Sequence, residues 1–161
     1  MAVSYYGVVL RRGSAGPDVA LDQTNLNALG AAGQPIRRLG VDGKFGAGTE
    51  SAVRQFQTLQ GLAVDGKVGA NTWARLNAAY TAATGKDTAG LYPGISLRRG
   101  DRGAAVVQAQ QKLAATRPGL GADGIFGANT QAAVRTFQAR SRLTVDGILG
   151  KNTWGALFAA R

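Results

Sequence analysis

Apolar residues fall along this chain at helical spacing, in short runs separated by glycine-rich breaks. Ala52, Val53, Phe56 and Leu59 share one face of a helix predicted over Thr49–Leu59. Ala133, Val134 and Phe137 do the same over Thr130–Ala139. Trp73, Leu76 and Tyr80 line a third run, and Trp154, Leu157 and Phe158 a fourth. Two earlier helices are predicted, Pro17–Leu29 with proline in its tolerated first-turn position, and Ala104–Ala115. Thr49, Asn71 or Thr72, Asn129 or Thr130, and Asn152 or Thr153 are the candidate N-caps, and Gly61 the stop after Gln60. The pattern predicts an all-α chain of two three-helix units, each packed around one small core.

The breaks are as informative as the runs. Val41-Asp42-Gly43, Val64-Asp65-Gly66, Ala122-Asp123-Gly124 and Val145-Asp146-Gly147 each continue into an apolar residue, a second glycine and a threonine. Asp65 follows Asp42 by 23 residues and Asp146 follows Asp123 by 23; Asp123 follows Asp42 by 81. One unit is therefore written twice, and each unit carries its phrase twice. Aspartate can accept bonds from its own downstream amides and glycine takes positive φ freely, so the phrases predict turns. Phe45, Val68, Phe126 and Leu149 are predicted to plug the core. Tyr5-Tyr6-Gly7 to Gly13 matches Tyr92-Pro93-Gly94 to Gly100 at an offset of 87, so the first copy holds six extra residues. They fall within Leu29–Leu39, which predicts a surface loop. The domains expected are 1–80 and 92–161, with a small, polar linker over 81–91.

Chemistry narrows the function. With no His and no Cys, the common zinc ligand sets, Cys-His pairs and Ser-His-Asp triads are excluded. The single Glu, Glu50, sits at a helix start, and four of the aspartates belong to turns. No enzyme activity, cofactor or metal is expected. A net charge of +10 points to an anionic partner. No apolar stretch is long enough to span a membrane, and no secretory signal is visible at the start.

Leu-Arg-Arg-Gly, then Asp-Gly-x-Phe-Gly-x-x-Thr-x-x-Ala-Val-Arg-x-Phe-Gln at Asp42–Gln57 and Asp123–Gln138, then the tryptophan phrases at Val64–Leu76 and Val145–Leu157, resemble the type 1 peptidoglycan-binding domain. The resemblance spans roughly residues 5–80 and 92–161. It implies a three-helix fold, non-catalytic binding of cell-wall peptidoglycan or another anionic wall polymer, and a place in the cell wall or outside the cell. Such modules stand beside a hydrolase, and none is read in these residues. One position departs from the family pattern. The opening helix should carry Val, then Leu, then Gln, as Val106, Ala109 and Gln110 nearly do, whereas the first copy reads Val19, Asp22 and Gln23. Asp22 is expected to pair with an arginine, or its helix to be rotated or partly exposed. The candidate ligand contacts are the basic pairs Arg11-Arg12, Arg37-Arg38 and Arg98-Arg99, facing carboxylates or phosphates. Trp73 and Trp154 are assigned to the core rather than to sugar rings. A self-assembling structural protein with no wall ligand, a homo-oligomer, is the alternative. Nucleic acid ranks last, because charge alone suggests it.

Overall fold

The computed structural model describes residues 5–159. Helices α1 (Pro17–Ala31), α2 (Ala47–Gln60) and α3 (Ala70–Thr84) form the first half, and α4 (Ala104–Leu113), α5 (Ala128–Arg140) and α6 (Lys151–Ala159) the second. Among the described residues extended pairing is limited to isolated bridges. In the first half a strap over Leu10–Ala15 pairs with both loops, Leu10 with Val68 and Ala15 with Lys44; Leu97 with Leu149 and Arg102 with Ile125 repeat this in the second. None of the described helices is long and apolar enough to cross a membrane.

The plugs Phe45, Val68, Phe126 and Leu149 are buried, with Trp73 and Trp154, in two cores. Three predicted core residues are not, of which Phe158 is half-buried against the Trp154 ring. Leu59 is 46% exposed, because the chain reverses at Gly61 in the left-handed conformation and Leu62 packs against the core instead. Phe137 is half-buried, whereas its counterpart Phe56 is fully buried. The six-residue insertion accounts for the difference. Rather than lying free on the surface, it lays Ile36 and Leu39 into the first core, while the shorter second-half turn offers half-buried Leu120. Asn27 fixes the insertion by bonding Leu39 through both its amide groups, at 2.8 Å each.

Helix starts also differ from expectation. α2, α3 and α5 are capped by Gly46, Gly69 and Gly127 without any side-chain cap bond. Thr49, Thr72 and Thr130 sit at the third helical position instead, buried, because their hydroxyls are engaged by glutamines described below.

The two halves pack through α1 and α4. Asp18 accepts the Ala104 and Ala105 amides at 2.8 and 3.2 Å, so an α1 side chain caps α4. Thr24 donates to the Pro93 carbonyl at 2.8 Å and the Tyr6 hydroxyl to the Asp123 carbonyl at 3.2 Å. A Cβ on Gly43 would meet Ile95 at 2.7 Å, and one on Gly124 would collide with Tyr6. Each half's N-terminal segment thus covers the first Asp-Gly loop of the other, as in a two-fold interface. The segment after α3 is held too: Thr88 is buried, and the Gly90 amide donates to Gln108 Oε1 at 2.9 Å.

Candidate functional site

All four Asp-Gly loops are built by one polar device. Each aspartate Oδ1 accepts the amide two residues on, from Lys44, Lys67, Ile125 and Ile148, at 2.9 Å in every case. The following glycine has φ between 72° and 77°. A buried glutamine then ties loop to helix. Gln138 Nε2 reaches Asp146 Oδ1, the Ile148 carbonyl and the Thr153 hydroxyl at 2.8, 3.0 and 3.1 Å, and its Oε1 accepts the Asp146 and Gly147 amides. The Nε2 groups of Gln23, Gln57 and Gln110 make the same three contacts around Asp42, Asp65 and Asp123, and their Oε1 atoms accept the Gly43, Gly66 and Gly124 amides. The backbone amide, then the glutamine amide, hold all four carboxyls below the usual carboxylate range. These aspartates hold their own turns together rather than standing free as catalytic acids.

The interface covers the first loop of each half and leaves the second open. Beside each second loop lies a groove, and the two grooves match position for position. In the first half, Leu62, Asp65, Lys67, Asn71 and Thr72 line about 250 Å³. In the second, Leu143, Asp146, Ile148, Asn152 and Thr153, with Ser96, Arg142 and Lys151, line about 520 Å³. The α3 end of the first groove presents first-turn amides that no side chain caps. Such amides, with Asn71 beside them, suit carbonyl or carboxylate groups. Arg54 and Arg135 lie against the open loops, since a Cβ on Gly66 would meet Arg54 Nε at 3.0 Å and one on Gly147 would meet Arg135 Nε at 2.9 Å. The second groove is the more basic. Arg142 replaces Gly61 there and holds φ 59°, a left-handed conformation that is strained for a side chain other than glycine.

The six arginines read from sequence are all exposed, but none lines either groove. Arg11-Arg12 and Arg98-Arg99 sit at the strap turns, where Gly13 and Gly100 donate to the Phe45 and Phe126 carbonyls at 2.9 Å. This places each pair near the start of α2 or α5. Arg37 and Arg38 lie on the inserted loop, with the Arg37 amide donating to Gln55 Oε1 at 2.9 Å. Sequence reasoning missed Arg54, Arg135, Arg142 and Lys151. Arg54 and Arg135 stand at equivalent places in the repeated Ala-Val-Arg phrase, which was the available signal. Trp73 and Trp154 are core residues, 4% and 2% exposed. No cluster of His, Cys, Asp or Glu among the described residues could hold a metal ion.

Comparison with known proteins is consistent with this architecture. The profile of a family described as a putative peptidoglycan binding domain matches residues 15–76 and 102–157. A probable N-acetylmuramoyl-L-alanine amidase of Bacillus licheniformis is 37% identical over 142 residues, 82% of this chain. The chain spans 39% of that relative's length. Among solved structures, the SleB N-terminal domain is 39% identical, with a TM-score of 0.41, covering 48% of this chain and 99% of that one. A fused Zn-dependent amidase/peptidase/peptidoglycan-binding domain-containing protein from Clostridium acetobutylicum ATCC 824 is 38% identical, with a TM-score of 0.39, covering 44% of this chain and 29% of its own.

Proposed function

The chain belongs to the family of putative peptidoglycan binding domains, and from that premise we propose that it holds bacterial cell-wall peptidoglycan without cutting it, as an anchor or adaptor. The observation that carries the reading is the recurrence of one groove beside the open Asp-Gly loop of both halves. A polymer with repeated epitopes suits a chain with two equivalent sites. Stem-peptide carbonyls and carboxylates match the uncapped amides, the asparagines and the cations at the grooves. Arg11, Arg12, Arg37, Arg38, Arg98 and Arg99 then act as an outer basic rim, drawing the chain to an anionic wall rather than fixing a ligand. The acid inventory supports the non-catalytic part. Four aspartates are tied into turns, Asp18 is buried between the halves, and Asp22 is buried beside it.

Co-sedimentation with purified sacculi tests the reading, with released muropeptides measured in parallel. Pelleting at low salt that weakens as salt rises is expected. Arg142→Ala with Lys151→Ala should weaken it more than Arg98→Ala with Arg99→Ala. Failure to pellet at low salt sinks the binding claim, and muropeptide release above a blank sinks the non-enzyme claim. Pelleting without sacculi, as large ordered particles, favours the self-assembling alternative.

A further inference from the structure

A third cleft, of about 570 Å³, opens in the second half, lined by Ala89, Gly90, Gln108, Gln111, Lys112 and Phe158. It lies away from the Asp-Gly loops, between α4, α6 and the segment joining the halves. The ring of Phe158 stacks on Trp154 at 4.4 Å, and the Lys112 ammonium stands 5.8 Å from the Phe158 centroid. Gly90 is pressed against Phe158, where a Cβ would meet Cδ1 at 3.2 Å, and its carbonyl accepts Trp154 Nε1–H at 2.8 Å. The Gly90 amide orients Gln108 by donating to its Oε1, which leaves Gln108 Nε2 a buried donor with no acceptor. A buried donor without a partner costs free energy that an incoming carbonyl would return. The described residues of the first half lack its polar lining. At the offset of 87, Gln108 and Lys112 correspond to Leu21 and Asn25, both buried.

An aromatic surface, an unsatisfied amide donor and a cation in one cleft specify a ligand with an apolar ring face, a carbonyl and a carboxylate. We propose that this cleft binds an N-acetylated amino sugar bearing a free carboxylate, which on the reading above is a muramic acid whose lactyl carboxyl carries no stem peptide. The sugar's C–H face lies on Phe158, its acetamido carbonyl accepts a hydrogen bond from Gln108 Nε2 after a small side-chain rotation, and its carboxylate faces Lys112. The proposal rests on the peptidoglycan reading and adds a glycan subsite separate from the grooves.

The test titrates the full chain with the disaccharide of N-acetylglucosamine and N-acetylmuramic acid, following the side-chain amide resonances of Gln108 and the indole N–H of Trp154. Both sets of resonances should shift. The dimer of N-acetylglucosamine, which lacks the carboxylate, should bind about tenfold more weakly, as should the disaccharide to Lys112→Ala. Lys112 is exposed, so that variant should melt as the parent does, and Phe158→Leu should weaken binding while keeping apolar volume. Sacculus pelleting with unmoved Gln108 resonances, or equal affinity of parent and Lys112→Ala, overturns the subsite and leaves the wall-binding reading standing. Failure of the parent to pellet with sacculi overturns both.

Discussion

The residue that decides the local structure is a glutamine. Each Asp-Gly loop would be a weak turn alone, but Gln138 joins Asp146, Gly147, Ile148 and Thr153 at one buried point. Gln138→Leu should therefore cost about 1–3 kcal/mol in urea unfolding, because it strands the buried Gly147 amide and the Thr153 hydroxyl. Cores should respond unequally: Phe56→Ala should cost about 3–5 kcal/mol, and half-buried Phe137→Ala clearly less. Arg142→Gly separates binding from stability. It relieves a left-handed side chain, so the melting temperature should hold or rise, while sacculus binding should fall with the lost cation. The glutamines were visible in the repeated phrases, but a polar residue at helical spacing reads as surface. Their partners lie 19, 8, 13 and 8 residues away, so no fixed spacing announced the pairing. Turns and plugs were legible because both depend on residues adjacent in sequence.

At the scale of elements, α1 and α4 have the same ancestry in the repeat but different surroundings. Positions 18, 22 and 25 are Asp, Asp and Asn in α1, and their equivalents in α4 are Ala105, Ala109 and Lys112. α1 is buried against α2 and α3 on its own side and α4 on the other, so it has no solvent face to show. That explains why Asp22 could be flagged from sequence while its fate could not. It is 1% exposed and its Oδ2 has no partner; no arginine among the described residues meets it, and the helix is neither rotated out nor exposed. Burial, then the charge of Asp18, raises its pKa well above the usual value. The sign follows. A raised folded pKa gives stability that is complete below the ordinary carboxylate value and is lost as pH rises through the folded one. The loop aspartates have lowered values, so their contribution is present above the ordinary value and lost as pH falls through the folded ones. Asp22→Asn should reduce the loss at rising pH, leaving the part due to Asp18, whose pKa burial also raises, and leave the acid-side loss intact. Melting curves across pH read both limbs, and an unchanged alkaline limb would show that Asp22 is not the group responsible.

For the whole molecule, the repeat is a closed pair rather than two beads on a string. Tyr6 on Gly124, Ile95 on Gly43 and Asp18 on the α4 start use up the surfaces that each half would otherwise expose. The closed arrangement leaves both second-loop grooves open and fixes their separation, so simultaneous engagement of a polymer depends on this interface and not on linker length. We expect residues 1–80 and 92–161, made separately, to lose more than avidity. The first fragment would expose Asp18, Asp22 and Asn25, which tolerates water; the second would lose the cap on Ala104 and Ala105, worth about 1 kcal/mol. Tyr6→Ala in the full chain probes the same surface without straining the left-handed glycine, because it removes the ring that covers Gly124 and leaves every groove residue in place. Both fragments, and the intact variant to a smaller degree, should bind sacculi more weakly than the parent. Mixing the two fragments should restore part of the binding if their surfaces remain complementary. Fragments that each bind as well as the whole chain would show that the interface contributes nothing to wall recognition.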